Sequence, residues 1–194
     1  QLEKTENIRT FINVKEFAED KFVIMATRKG LVKKTSLAAF KNPRRDGIYA
    51  IKLNEEDDLI EAKVTDGSND VFLATTLGMA IRFRETEVRE MGRVAAGVKG
   101  INLGKEDKVI GMVVVKREGT LLAVSELGYG KRTMISEYRV AHRAGKGIKT
   151  FKVSEKTGRL VAIKEVVDDD DLMLITDHAV ILRIKVGNIN STGR

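Results

Sequence analysis

Cysteine and tryptophan are absent from the 194 residues, proline occurs once and histidine twice. Without cysteine there is no disulfide, no thiolate nucleophile and no cysteine-bound zinc, and a reducing compartment fits. His142 and His178 cannot assemble a metal cluster by themselves, and neither has a sequence neighbour that marks it as a catalytic base. No apolar stretch reaches the roughly 20 residues of a membrane span, and no charged-then-apolar leader opens the chain. The expectation is a soluble, cytoplasmic protein with no membrane association. The chain starts without methionine and stops abruptly at "INSTGR", so a piece of a longer protein is expected.

What the chain does have is 42% hydrophobic residues, enough for a core, and 35 Lys and Arg against 28 Asp and Glu, for a net charge of +7. That balance favours a polyanion as partner.

The residues also repeat. "MATRKGLVKK" from Met25, "LATTLGMAIR" from Leu73, "AVSELGYGKR" from Ala123 and "LITDHAVILR" from Leu174 share a turn position at Gly30, Gly78, Gly128 and Ala179, 48, 50 and 51 residues apart. Four residues on, each carries a base: Lys34, Arg82, Arg132 and Arg183. A second landmark places Gly47, Gly100 and Gly147 before an isoleucine, and a third is the apolar pair Leu59–Ile60, Val109–Ile110 and Leu160–Val161. Three landmarks in one order at nearly one period predict a repeat architecture.

Short apolar runs such as "FVIMAT", "DVFLAT", "TLLAVS" and "DLMLIT" lie between Gly, Asp, Asn and Ser and read as strands. "RKG", "TLG" and "ELG" suit hairpin loops in which glycine takes positive φ. In "KTSLAAFKNPRRDG" the segment "SLAAF" predicts one helical turn, stopped by Pro43. The fold class is therefore all-β: a propeller-like array of four-stranded blades of about 50 residues, incomplete at both ends. The repeats run over about 21–67, 68–118, 119–167 and a truncated 168–194, and residues 1–20 read as the closing strand of a preceding blade.

No stretch carries catalytic chemistry. Around Gly104 and Lys105 the phosphate-loop pattern lacks its upstream glycine, where Lys99 stands, and its hydroxyl residue, where Glu106 stands. "GKGIKT" and "GYGKRT" lack the third glycine of a dinucleotide fingerprint. The acidic run Asp168–Asp171 reads as a solvated loop, as do Asp57, Asp58, Glu106 and Asp107, and no metal site is expected. Tyr49, Tyr129 and Tyr138 read as packing or loop residues.

The bases recur at fixed places. The long loops carry Lys41, Arg44 and Arg45, then Arg89, Arg93 and Lys99, then Arg139, Arg143, Lys146 and Lys149. The hairpins add Lys33 and Lys34, Arg82 and Arg84, Lys131 and Arg132, and Arg183 and Lys185. Repeats stacked around an axis would set equivalent residues on one rim as a basic belt, which suits the phosphates of duplex DNA. With few aromatics, base stacking on single strands is disfavoured. Gly30, Gly47, Gly78, Gly97, Gly100, Gly128, Gly145 and Gly147 are expected to hold the tight bends.

"MATRKGLVKKTSLAAFKNPRRDGIYAIKL" and "LATTLGMAIRFRETEVREMGRVAAGVKGINL" resemble successive blades of the C-terminal domain of DNA gyrase A subunits, and Glu87–Ile101 is the most telling segment. The resemblance covers essentially the whole chain. It implies a β-pinwheel with strands exchanged between neighbouring blades and a basic perimeter that wraps duplex DNA for negative supercoiling by a type II topoisomerase. It also implies, as partners, the breakage-reunion domain and the B subunit, with ATP and Mg used elsewhere in that holoenzyme and no cofactor here. A bacterial, nucleoid-associated location follows from the same resemblance. The family's marker box, Gln-Arg-Arg-Gly-Gly-Lys-Gly, has its nearest counterpart in "HRAGKGIK", where Arg143, Gly145, Lys146 and Gly147 match. The topoisomerase IV C-terminal domain and a propeller that docks an acidic protein are the alternative readings. Open blade edges are expected to allow self-association.

Overall fold

The computed structural model describes residues 7–193. Thirteen strands form four antiparallel sheets, with a single 3₁₀ turn after the hairpin of each repeat, at Leu37–Phe40, Glu85–Glu87, Ile135–Glu137 and Val186–Asn188. No helix among the described residues is long and apolar enough to cross a membrane.

The first blade pairs β1 (Phe22–Thr27) with β2 (Leu31–Ser36) and with β3 (Leu59–Thr65). The second pairs β4 (Asp70–Thr75) with β5 (Met79–Arg84) and β7 (Val109–Val114). The third pairs β8 (Thr120–Ser125) with β9 (Gly130–Met134) and β11 (Leu160–Val166). The fourth holds β12 (Asp171–Ile175) and β13 (Ile181–Lys185).

The remaining two strands cross over. β6 (Val98–Lys99), from the second repeat, pairs with β2 of the first blade, and β10 (Ile148–Lys149), from the third repeat, pairs with β5 of the second. Strand exchange thus completes four-stranded blades one and two, whereas blade three has three strands and blade four two. β3, β7 and β11 touch one another in series and line the inside, so β6 and β10 lie on the outer edge.

Successive side chains point to opposite faces, and in blades one to three both faces of the first hairpin strand are buried, which is why these strands are largely apolar rather than alternating. Ile24, Ala26 and Val32 of blade one meet Val71 and Leu73 of blade two, while Phe72, Ala74 and Ala80 on the other face meet Leu121 and Ala123 of blade three. Leu122 continues the pattern with Val166 and Val186. The core is therefore a series of inter-blade seams.

Two sequence expectations are corrected here. Of residues 1–20, expected as the closing strand of a preceding blade, 1–6 lie outside the described residues and 7–20 form no strand: β structure needs a hydrogen-bonded neighbour, and this stretch has none among the described residues, packing Val14 against blade one instead. The second is a register. Gly47, Gly97 and Gly147, not Gly100, occupy one position: all three have positive φ (81°, 102° and 74°), and the latter two directly precede β6 and β10. A Cβ on Gly97 would lie 2.6 Å from the Val32 carbonyl oxygen, and one on Gly147 would lie 2.5 Å from that of Ala80. Gly100 is needed for another reason, since its Cβ would meet Leu73 and Val32 side chains at 2.7 and 2.8 Å.

Candidate nucleic-acid interface

The hairpin turns set the frame from which the basic residues project. Gly30, Gly78 and Gly128 have φ of 84°, 81° and 80°, and Ala179 holds the same turn at 61°. Their N–H groups donate to Thr27, Thr75, Ser125 and Thr176 carbonyls at 3.0 Å each. Asp57 and Asp107 are buried, contrary to the solvated loops read from sequence. Asp57 accepts from the backbone N–H groups of Lys29 and Asp58, and Asp107 from those of Leu77 and Lys108, so these carboxylates tie loop to hairpin. Gly145 has neither positive φ nor a close backbone neighbour apart from the His142 carbonyl at 3.5 Å.

The base four residues after each turn does not face outward. Lys34 and Arg132 are buried and Arg82 is nearly so. Each reaches across the seam to the 3₁₀ turn of the next repeat: Lys34 Nζ donates to the Glu85 carbonyl at 3.3 Å, Arg82 to those of Ile135 (2.8 Å) and Tyr138 (2.9 Å), and Arg132 to that of Ile189. A carboxylate neutralises the two arginines, Asp70 at 2.6 Å from Arg82 and Asp168 beside Arg132, while Lys34 sits 5.2 Å from the Phe22 ring centroid. The recurring base is thus a staple between blades. The loop it holds also donates backbone hydrogen bonds back, from Met91 to Lys34, Ala141 to Arg82 and Thr192 to Arg132, at 2.8–2.9 Å.

Lys33 is fully buried, and its ammonium donates to the Ala50 carbonyl at 2.6 Å and to that of Arg93. Loss of hydration, with the nearby Arg93 charge, pushes its pKa down to about 8. Lys131, its counterpart in blade three, is half-buried, donates to the Gly193 carbonyl at 2.6 Å and is shifted down by the same desolvation. Arg143 bridges two loops through the Glu87 and Lys99 carbonyls at 3.2 and 2.9 Å. Arg93 is half-buried. Lys33, Lys34, Arg82 and Arg132 are therefore withdrawn from the expected belt, because their heads are turned into the seams toward carbonyls and are shielded from a phosphate outside.

Three more are neutralised at the surface. Arg84 lies 3.0 Å from Asp70, and Arg183 and Lys185 lie 2.8 and 3.1 Å from Asp171, whose pKa these two hydrogen-bonded partners hold near 2.

What remains is Lys41, Arg44, Arg45, Arg89, Lys99, Arg139, Lys146 and Lys149, all exposed and in no ion pair among the described residues. All come from the long loops. Lys99 and Lys149 sit at the same place on the exchanged strands of the outer edge, and Arg89 and Arg139 recur 50 residues apart ahead of them. The loops join one another around the rim: Lys52 N–H donates to the Ala95 carbonyl at 3.1 Å, and Asn102 N–H repeats this to Gly145 at 2.9 Å. Exposed Lys52 and Lys152 also share a position on this rim, which the Gly47–Gly97–Gly147 register would have revealed. "HRAGKGIK" lies on it too, with Lys146 exposed and Ala144 at φ 65°.

The family model described as "DNA gyrase C-terminal domain, beta-propeller" matches residues 21–66, 69–116, 119–166 and 170–194. The chain is 47% identical over 194 residues to the DNA gyrase A subunit of Clostridium acetobutylicum, covering all of this chain and 23% of that protein. A solved topoisomerase IV C-terminal domain is similar at TM-score 0.92 and 30% identity, over 100% of this chain and 61% of that one. A solved DNA gyrase A C-terminal domain is similar at TM-score 0.91 and 30% identity, over 99% and 64%. The chain thus spans about a quarter of the curated relative, and with four repeats, exchanged strands and whole-chain similarity it belongs to the β-propeller family of DNA gyrase C-terminal domains.

Proposed function

We propose that the chain binds duplex DNA along its outer edge and bends it, as the DNA-wrapping part of a gyrase A subunit. The observation that carries this reading is the row of eight exposed loop bases, with Arg89 and Arg139, and Lys99 and Lys149, repeated from blade to blade. Bending a short duplex by up to 90° costs on the order of 1–6 kcal/mol, so many modest phosphate contacts along an arc suit the task better than one deep site. In the same reading the domain serves a type II topoisomerase in the bacterial cytoplasm, beside the nucleoid. The breakage-reunion domain and the B subunit cut and pass the DNA, using ATP and Mg outside this chain.

Binding to a short duplex and to one of about 150 base pairs, DNA's persistence length, tests the proposal across a salt series. If about six phosphates are neutralised, affinity falls with a log–log salt slope near −5, and if all eight of these bases engage, the slope is about −7. The longer duplex binds more tightly. Absence of salt-sensitive binding at low ionic strength overturns the reading and favours docking of an acidic protein. A topoisomerase IV origin rests on the solved structure of similar TM-score, but 47% identity to a gyrase A subunit favours gyrase.

A further inference from the structure

The long loops of repeats two and three dock on the blade before them by different means. In repeat two, partly buried Met91 packs into the seam, and Lys33 of blade one ties the loop from beneath through the Arg93 carbonyl. In repeat three, Ala141 and Gly145 stand where Met91 and Ala95 do, 50 residues on, and Ile81 of blade two takes the place of Lys33. Ile81 supplies no donor, and the smaller loop side chains leave a cavity of about 160 Å³, lined by Ala80, Ile81, Ala141 and Gly145 together with the bases Arg139 and Lys146. A loop over a void lacks packing partners on that side.

Backbone hydrogen bonds pin two points of this loop, from the Ala141 N–H to the Arg82 carbonyl at 2.8 Å and from the Ala144 N–H to the Gly100 carbonyl at 2.7 Å. Glu87 pins the two residues between them. Its Oε2 accepts from the Arg143 N–H at 3.1 Å, its carbonyl accepts from Arg143 Nε at 3.2 Å, and its Oε1 lies 3.3 Å from His142 Nδ1. Arg143 also donates to the Lys99 carbonyl at 2.9 Å, so the 3₁₀ turn of repeat two, the loop of repeat three and the exchanged strand β6 meet at one clamp. In the first repeat Ala39 holds the place of Glu87 and has no side-chain acceptor. The clamp is thus particular to the loop that has a cavity beneath it.

We propose that Glu87 is a positioning residue for DNA: through Arg143 it sets the loop of repeat three so that Arg139 and Lys146 line up with Lys99 and Lys149 along the outer edge. The inference rests on duplex DNA being the ligand of that edge. It runs against simple electrostatics. A partly exposed carboxylate on a basic rim repels phosphates, so its removal, which takes the net charge from +7 to +8, should on charge alone tighten binding. If the carboxylate sets the loop, its removal weakens binding instead.

Two variants separate these effects. Glu87→Gln drops the charge but keeps a side-chain oxygen that accepts from the Arg143 N–H; Glu87→Ala drops both. Each is compared with the parent for binding to a duplex of about 150 base pairs across a salt series. Hydrogen exchange without DNA follows the Ala141 and Ala144 amides, whose own acceptors neither variant alters. Glu87→Gln is expected to bind at least as tightly as the parent and to keep its exchange rates. Glu87→Ala is expected to bind more weakly, with a log–log salt slope reduced by about 2, close to 0.9 for each of Arg139 and Lys146, and to exchange faster at both amides. The proposal is overturned by a Glu87→Ala variant that binds as tightly as the parent, by a loss that Glu87→Gln shares, or by unchanged exchange at both amides. A parent that binds no duplex at low salt overturns the DNA reading itself, and this proposal with it.

Discussion

Arg82 shows how a base can repeat with the fold and yet serve the fold alone. Its guanidinium is committed to Asp70 and to two carbonyls, and Arg82→Ala leaves all three uncompensated in a buried seam. Breaking such a buried pair costs about 3–5 kcal/mol, which denaturant unfolding will register as a lower midpoint. Lys33 gives a pH signature. The folded chain releases its proton near pH 8 and the unfolded chain only near 10.5, so between those values the unfolded state binds more protons. Stability therefore rises with pH across that window, and Lys33→Met removes the rise, as urea melts at pH 7.5, 9 and 10 will show.

At the level of elements, the exchanged strand depends on a glycine that works in two ways. At Gly147 a methyl group would be strained by φ 74° and would also press on the Ala80 carbonyl at 2.5 Å. At Gly47 the φ is 81° but the space is empty. Gly47→Ala is thus expected to cost about 1 kcal/mol of backbone strain, and Gly147→Ala more, because β10 must lift from β5. Thermal melts of the two variants side by side separate the contributions. Ala144 offers the converse: it holds φ 65° where the family's box has glycine, so Ala144→Gly is expected to raise stability by up to about 1 kcal/mol.

For the whole molecule, the useful distinction is between bases that tie blades together and bases that face solvent. Lys99→Glu with Lys149→Glu reverses two exposed charges on the outer edge without touching a seam. Unfolding midpoints are expected to stay within about 0.5 kcal/mol of the parent. Affinity for a duplex of about 150 base pairs falls, and the log–log salt slope loses about 2, close to 0.9 for each phosphate contact. An unchanged slope would remove the exchanged strands from the DNA path.

Residue order alone determined the repeat, the hairpin turns and the apolar strands, because turn chemistry and period-2 burial are local and recur every 48 to 51 residues at Gly30, Gly78, Gly128 and Ala179. It also determined that bases recur. Which of them point outward was decided only in three dimensions: Lys34, Arg82 and Arg132 find carbonyls some 50 residues ahead, across a seam that no local pattern describes. The register of Gly97 was settled the same way. A Gly-Ile pair at residue 100 matches the repeats above and below it, but only contact with the Val32 carbonyl makes Gly97 the position where a side chain cannot fit. Strand exchange joins residues far apart in the chain, so its consequences for charge and sterics are fixed by packing between blades.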